Sequence, residues 1–317
     1  MIYSQGKKPG GQKKRVVVRL LVVGLGVLGL GGGVLFALDA LDIAPLGVRS
    51  GDNELLRLWN ESDYEAVRAT AESILAEHAL DGKALTFGGF AEFYTGVELV
   101  EQEARRERLD RSIELLRKAL HVPRAPLEAE RDYVLAKAYF HKGAEYMDLS
   151  VYYMERSLER GYDASDSHTY LGLGYARLGL FEQSVDWFER AMERANAEDI
   201  NAIRMEAARS LVELEDYASA RSVLEAAVAT LEDEFLVLMA RNELASVLIL
   251  DEQYETAESV LEATIERFPE SADAYYYLGI VYDQTDRDVQ ARGLWRTARE
   301  IDPNHTEALQ LLANWGG

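Results

Sequence analysis

Residues 272–305 read ADAYYYLGIVYDQTDRDVQARGLWRTAREIDPNH. Leu278, Gly279 and Tyr282 fall on one face of a first helical segment, and Ala291, Trp295 and Ala298 recur at i, i+4 and i+7 on a second. The small Gly279 and Ala291 let the two helices approach closely, and the bulky Tyr282 and Trp295 fill the space beside them. Asp302-Pro303 closes the second helix, because proline disfavours helix at the residue before it. Pro269 precedes Pro303 by 34 residues, which makes the stretch one period of a repeat.

The period continues upstream. Residues 238–271 supply Leu244, Ala245, Leu248, Ala257, Leu261, Thr264 and Pro269 at matching places. Residues 201–234 supply Ala207, Ala208, Leu211, Ala220, Leu224 and Ala227, and residues 165–198 supply Leu171, Gly172, Tyr175, Ser184, Phe188 and Ala191. Residues 129–164 give Leu135, Ala136 and Tyr139, then Ser150, Met154 and Ser157 after a two-residue insertion. Before Pro123 and Pro126 the pattern is degenerate. Leu55, Leu56, Trp59 and Tyr64 suggest one helical pair, and Gly88, Ala91, Tyr94, Ser112, Leu116 and Ala119 a second. The charged stretch Glu101–Arg111 within the second reads as a solvated helix extension.

Tyr275, Leu278, Gly279, Tyr282, Ala291, Trp295, Ala298 and Pro303 fill the eight signature positions of a tetratricopeptide repeat (TPR), and the sequence resembles that family. The resemblance implies an all-α fold: a TPR-type α–α superhelix, a right-handed solenoid of antiparallel helix pairs. Its expected extent is 53–128 for degenerate repeats and 129–305 for the regular array. Residues 306–317 are expected to form a capping helix, with Leu309, Leu312 and Trp315 over the last apolar face.

The N-terminus has another character. Residues 1–19 carry six basic side chains and no acid, and Leu20–Leu38 holds no charge. As a helix that run is about 28 Å long, near the thickness of a hydrocarbon core. It is expected to be one N-terminal transmembrane helix, and residues 39–52, with Pro45, Gly47 and Gly51, a linker. The basic flank predicts a cytoplasmic N-terminus and a repeat domain across a bacterial inner membrane, in the periplasm. A cleaved secretory signal would have a shorter apolar core and a small residue where Leu38 stands. Gly24-x-Gly26-x-x-Gly29 matches a dinucleotide fingerprint, but Gly31-Gly32-Gly33 follows in place of a soluble helix. Gly29-x-x-x-Gly33 is read as membrane-helix composition and not as a dimerisation face.

The chain of 317 residues has a net charge of −21, with 55 acidic against 34 basic side chains, and no cysteine. The acidic excess argues against a nucleic-acid partner, since phosphate binding needs clustered basic charge. Without cysteine there are no disulfides, thiolate zinc sites or cysteine nucleophile. His78, His121, His141, His168 and His305 form no metal-binding spacing, and no nucleophile elbow or P-loop occurs. The expectation is a chain that is not an enzyme and carries no cofactor or metal.

The resemblance implies protein partners held on the concave face, contacted from set positions of each first helix. In this sequence those positions are Tyr133, Lys137, Phe140 and His141; Thr169, Leu173 and Arg177; Met205, Arg209 and Glu213; Asn242 and Ser246; Tyr276 and Ile280. The family's carboxylate clamp is not matched, because position five reads Tyr, Thr, Met, Asn, Tyr across the five units. Lys137, Arg177 and Arg209 are either polar filler on that face or a track for an acidic partner segment. The expected function is a membrane-anchored scaffold for assembling an envelope complex, for instance of the flagellar-motor collar kind. The alternatives are a translocon-associated chaperone or adaptor and a regulator of an envelope enzyme.

Overall fold

The structure is a computed structural model, and it describes residues 54–314. Among these residues there are fifteen α-helices, one short 3₁₀ turn and no strand. They divide into two compact units between Arg194 and Ala195. The division falls inside the expected 129–305 array, between the repeat at 165–198 and the one at 201–234, and each unit is taken by itself.

The N-terminal unit holds α1 (Glu54–Asn60), α2 (Tyr64–Glu77), α3 (Gly82–Val97), α4 (Gln102–Ala119), α5 (Glu128–Lys142), α6 (Met147–Glu159), α7 (Ser167–Arg177) and α8 (Phe181–Arg194). Each helix packs on the next, and α3 also meets α5 and α5 meets α7. That is the contact pattern of stacked helical hairpins. Trp59, Phe87, Phe90, Phe93, Tyr133 and Leu116 lie at the centre of its core. In α4 the stretch from Glu101 to Arg108 stays largely outside, and Leu109, Ile113, Leu115 and Leu116 turn inward, so the charged insertion is a helix extension. The two-residue insertion after α5 is absorbed by Gly143, at φ 129°, and the 3₁₀ turn Ala144–Tyr146. Only glycine adopts that backbone easily.

The C-terminal unit holds α9 (Ile200–Glu213), α10 (Tyr217–Thr230), α11 (Glu234–Leu250), α12 (Tyr254–Arg267), α13 (Ala272–Gln284), α14 (Asp288–Ile301) and α15 (Thr306–Asn314). The helices pack pairwise in order, and α11 touches α13. Trp295 is fully buried against Gly279, and its indole N–H donates to the Tyr276 carbonyl at 3.1 Å. A Cβ on Gly279 would overlap the indole, which explains the glycine.

α15 packs on α14, but its buried stripe differs from the expected one. His305 caps the helix, its Nδ1 accepting the Ala308 N–H at 3.3 Å, and Ala308 and Leu311 are buried. Leu309 is exposed and Leu312 half-buried, because a helix starting at Thr306 turns residues 308 and 311 inward. The basic tail 1–19, the apolar run 20–38, the linker 39–52 and Trp315 lie outside the described residues. No helix among the described residues is long and apolar enough to cross a membrane.

Candidate functional site

The candidate binding residues sit on first helices, and the structure sorts them into buried and accessible groups. In the N-terminal unit, Tyr133, Lys137, Phe140 and Thr169 are buried, Leu173 is half-buried, and His141 and Arg177 are exposed. Lys137 is fully covered. Its Nζ lies 2.6 Å from Asp166 Oδ2 and donates to the Tyr133 hydroxyl at 2.8 Å. That hydroxyl in turn donates to Asp166 Oδ1 at 2.7 Å. The ammonium also stands 4.8 Å from the centre of the Tyr170 ring. A buried charge needs such a closed set of partners, and this lysine has one. Lys137 is therefore an internal tie between α5 and the start of α7, and no part of an open basic track. Burial, reinforced by the Asp166 carboxylate, holds the Tyr133 phenol far above its ordinary value.

In the C-terminal unit, Met205, Asn242, Ser246, Tyr276 and Ile280 are buried, Arg209 is half-buried and Glu213 is exposed. Arg209 bonds Glu206 at 2.6 Å on its own helix and Glu243 of α11 at 2.5 Å. Burial works against its charge, and the Glu243 and Glu206 carboxylates outweigh that, leaving its pKa raised. Burial pushes the Glu243 carboxyl up despite Arg209. Arg209 is thus neutralised inside the unit. Of the three cations considered for an acidic track, Arg177 alone stays at the surface, its guanidinium 3.9 Å from the Phe140 ring centre.

The sequence reading missed the acids Asp166, Glu206 and Glu243. Two of them carry a spacing signal. Glu243 follows Arg209 by 34 residues and Asp166 follows Tyr133 by 33, about one repeat. Partners one period apart in a stacked array occupy equivalent places on neighbouring helices.

A cleft of about 520 Å³ opens between α2, α3 and α4. Its charged lining is largely self-paired: Arg108 meets Glu92 at 2.9 Å and Arg111 meets Glu114 at 2.7 Å. Among the described residues no three His, Asp or Glu side chains group as a metal site would require.

Comparison with known proteins agrees with this architecture. No curated protein matches the chain. A crystal structure of the C-terminal part of a TPR repeat-containing protein from Cytophaga hutchinsonii aligns with 81% of this chain and 97% of its own. The identity is 13% and the TM-score 0.60, which speaks for the fold. YrrB, described as a TPR protein with an unusual peptide-binding site, aligns over 58% of this chain and 91% of its own, at 23% identity and TM-score 0.46. MamA from Desulfovibrio magneticus aligns over 56% and 97%, at 17% identity and TM-score 0.49. The tetratricopeptide repeat family model matches residues 248–314, from the end of α11 through α15. Stacked hairpins, a glycine seating a tryptophan and this match together identify residues 248–314 as tetratricopeptide repeats.

Proposed function

We propose that the protein is a non-catalytic scaffold that binds protein partners on the accessible ends of its first helices. One observation carries this reading. Among the candidate positions Lys137 and Arg209 are taken up by internal ion pairs and Tyr133, Phe140, Met205, Tyr276 and Ile280 are buried, while His141, Leu173, Arg177 and Glu213 reach solvent. Within either unit, a partner laid along a first-helix face meets that unit's accessible groups first. The scaffold is a single-pass inner-membrane protein held by Leu20–Leu38, with its helices in the periplasm. The support is the basic flank of residues 1–19 against the acidic remainder. Anchoring concentrates weakly bound partners near the bilayer, which suits assembly of an envelope complex.

Protease treatment of spheroplasts tests the topology. Digestion of the helical domain in intact spheroplasts is expected; protection until lysis would place it in the cytoplasm. Crosslinking followed by identification of the adducts tests the role. Structural components of one envelope machine are expected, whereas translocon subunits with unfolded clients would favour the chaperone reading.

A further inference from the structure

We propose that one end of the N-terminal unit, where the α2–α3 turn meets the α4–α5 loop, rests on a phospholipid surface and meets its phosphate groups. This rests on the anchored-scaffold reading and adds the face that the unit turns to the bilayer. A cleft of about 320 Å³ brings together Leu55 of α1, Lys83 at the start of α3, and Val122 and Arg124 of the loop after α4. The turn and the loop touch, since a Cβ on Gly82 would stand 3.0 Å from Ala125 and 3.2 Å from Val122. The chain enters the unit at this same end, through Glu54 and Leu55. Fifteen residues, 39–53, separate that entry from the apolar run Leu20–Leu38. Fully extended they reach about 50 Å, so this end is tethered near the bilayer.

The chemistry of this end is unlike that of the rest of an acidic protein. Leu80, in the α2–α3 turn, is 69% exposed, and Pro123 in the α4–α5 loop is exposed too. Lys83 and Arg124, close to them in sequence, are exposed and have no ion-pair partner among the described residues. From Leu115 to Leu127 the chain holds Arg117, Lys118, His121 and Arg124 and no acid. Several nearby acids are engaged. Asp81 accepts the Lys83 and Ala84 N–H groups at 3.0 and 2.8 Å, Glu114 binds Lys118 at 2.6 Å, and Glu128 binds Arg160 at 2.9 Å. Glu54 and Glu77 are exposed and balance the two free cations, which leaves this end near neutral on a chain of −21. The far end of α3 makes the contrast. Val100 is 91% exposed there, but it stands among Glu98, Glu101 and Glu103. A phosphate layer repels that tip, whereas exposed apolar side chains flanked by cations suit the headgroup region. The contact is weak by itself, and the tether supplies the effective concentration that makes it form.

The test uses the full-length protein reconstituted into vesicles of phosphatidylcholine and phosphatidylglycerol carrying a headgroup-linked quencher. Because the chain has no cysteine, Leu80→Cys and Val100→Cys each accept a single fluorophore. Quenching severalfold stronger at position 80 than at position 100 is expected. Lys83→Glu with Arg124→Glu should bring position 80 down to the level of position 100. Arg296→Glu with Arg299→Glu, the same charge change on α14, should leave it as it was. All these side chains are exposed, and circular dichroism checks that each variant folds. Equal quenching at the two positions, or equal losses in the two charge variants, overturns the proposal. If the protein floats with the vesicles in a density gradient while position 80 stays unquenched, this inference falls and the anchored reading stands. If the protein does not float, both fall.

Discussion

Gly179 and Gly293 make opposite demands on one side chain. Gly179 turns between α7 and α8 at φ 72°, and an added Cβ would touch nothing within 4 Å. Gly179→Ala therefore measures backbone strain alone, and a loss of about 1 kcal/mol is expected in urea denaturation. Gly293 lies inside α14 on the solvent side, again with open space around it. Gly293→Ala should gain roughly 0.5–1 kcal/mol by the same assay, since alanine loses less freedom in a helix. Gly172 is a third case, because its Cβ would come within 2.6 Å of the Phe188 ring. The small first-helix residues were legible in the sequence because close approach demands them. The serines facing them were read only as small, yet Ser112, Ser150 and Ser184 each donate to a first-helix carbonyl, of Gly89, Ala136 and Gly172, at 2.7 to 2.9 Å. The spacing of those serines reveals size, and a hydroxyl's acceptor emerges only when the pair is docked.

At the scale of helices, the hairpins could be read from apolar period, and their turns only in part. Ser62, Glu215, Glu252 and Asp286 all take the left-handed conformation that Gly179 takes. Four non-glycine residues there gave no turn signal, since the stacked helices and not the local preference impose the conformation. Burial of the first-helix positions was likewise hidden. Register assigns a face, but α5 packs on α7 and α11 on α13, so position-five side chains end between helices. Lys137 shows the consequence. Asp166→Ala leaves a buried ammonium without its counter-charge, and a loss of about 3–5 kcal/mol is expected. Lys137→Met with Asp166→Leu should recover much of it, because a fully apolar pair avoids the desolvation cost. No recovery in the double variant would mean the triad's hydrogen bonds dominate.

The Arg287–Glu258 pair, at 2.6 and 2.7 Å, joins the α13–α14 turn to α12 and has a definite pH signature. Its hydrogen bonds hold the Glu258 carboxyl below the ordinary 4.5. The folded form thus releases that proton more readily than the unfolded chain does. The contribution is complete above pH 4.5 and disappears as pH falls through the folded value. Both side chains are part-exposed, so it amounts to about 0.5–1 kcal/mol. Arg287→Ala should lose that much at pH 7, with the pH-dependent part of the difference vanishing in acid.

For the whole molecule, charge is the controlling quantity. Residues 54–314 hold 52 acidic and 27 basic side chains, and no lysine occurs after Lys142. Salt weakens exposed ion pairs, each worth about 0–1 kcal/mol, but it also screens the repulsion among the surplus carboxylates. With an excess this large the second effect governs, and the melting temperature should rise by several degrees, on the order of 5 °C, between 50 and 500 mM NaCl. A fall would show that the ion-pair ties between hairpins outweigh the net charge. The division at residues 194 and 195 was not legible in the sequence. The repeat period runs through that point unchanged.

The central claim, partner binding along first-helix faces, is tested most directly by photocrosslinking in living cells. A photoreactive residue replaces Leu173, Arg177 or Glu213 in turn, or the exposed second-helix residues Glu189 or Glu225 as controls. The account predicts discrete protein adducts from the first three and none from the controls. Adducts from Glu189 and Glu225 with none from the first-helix positions would contradict it.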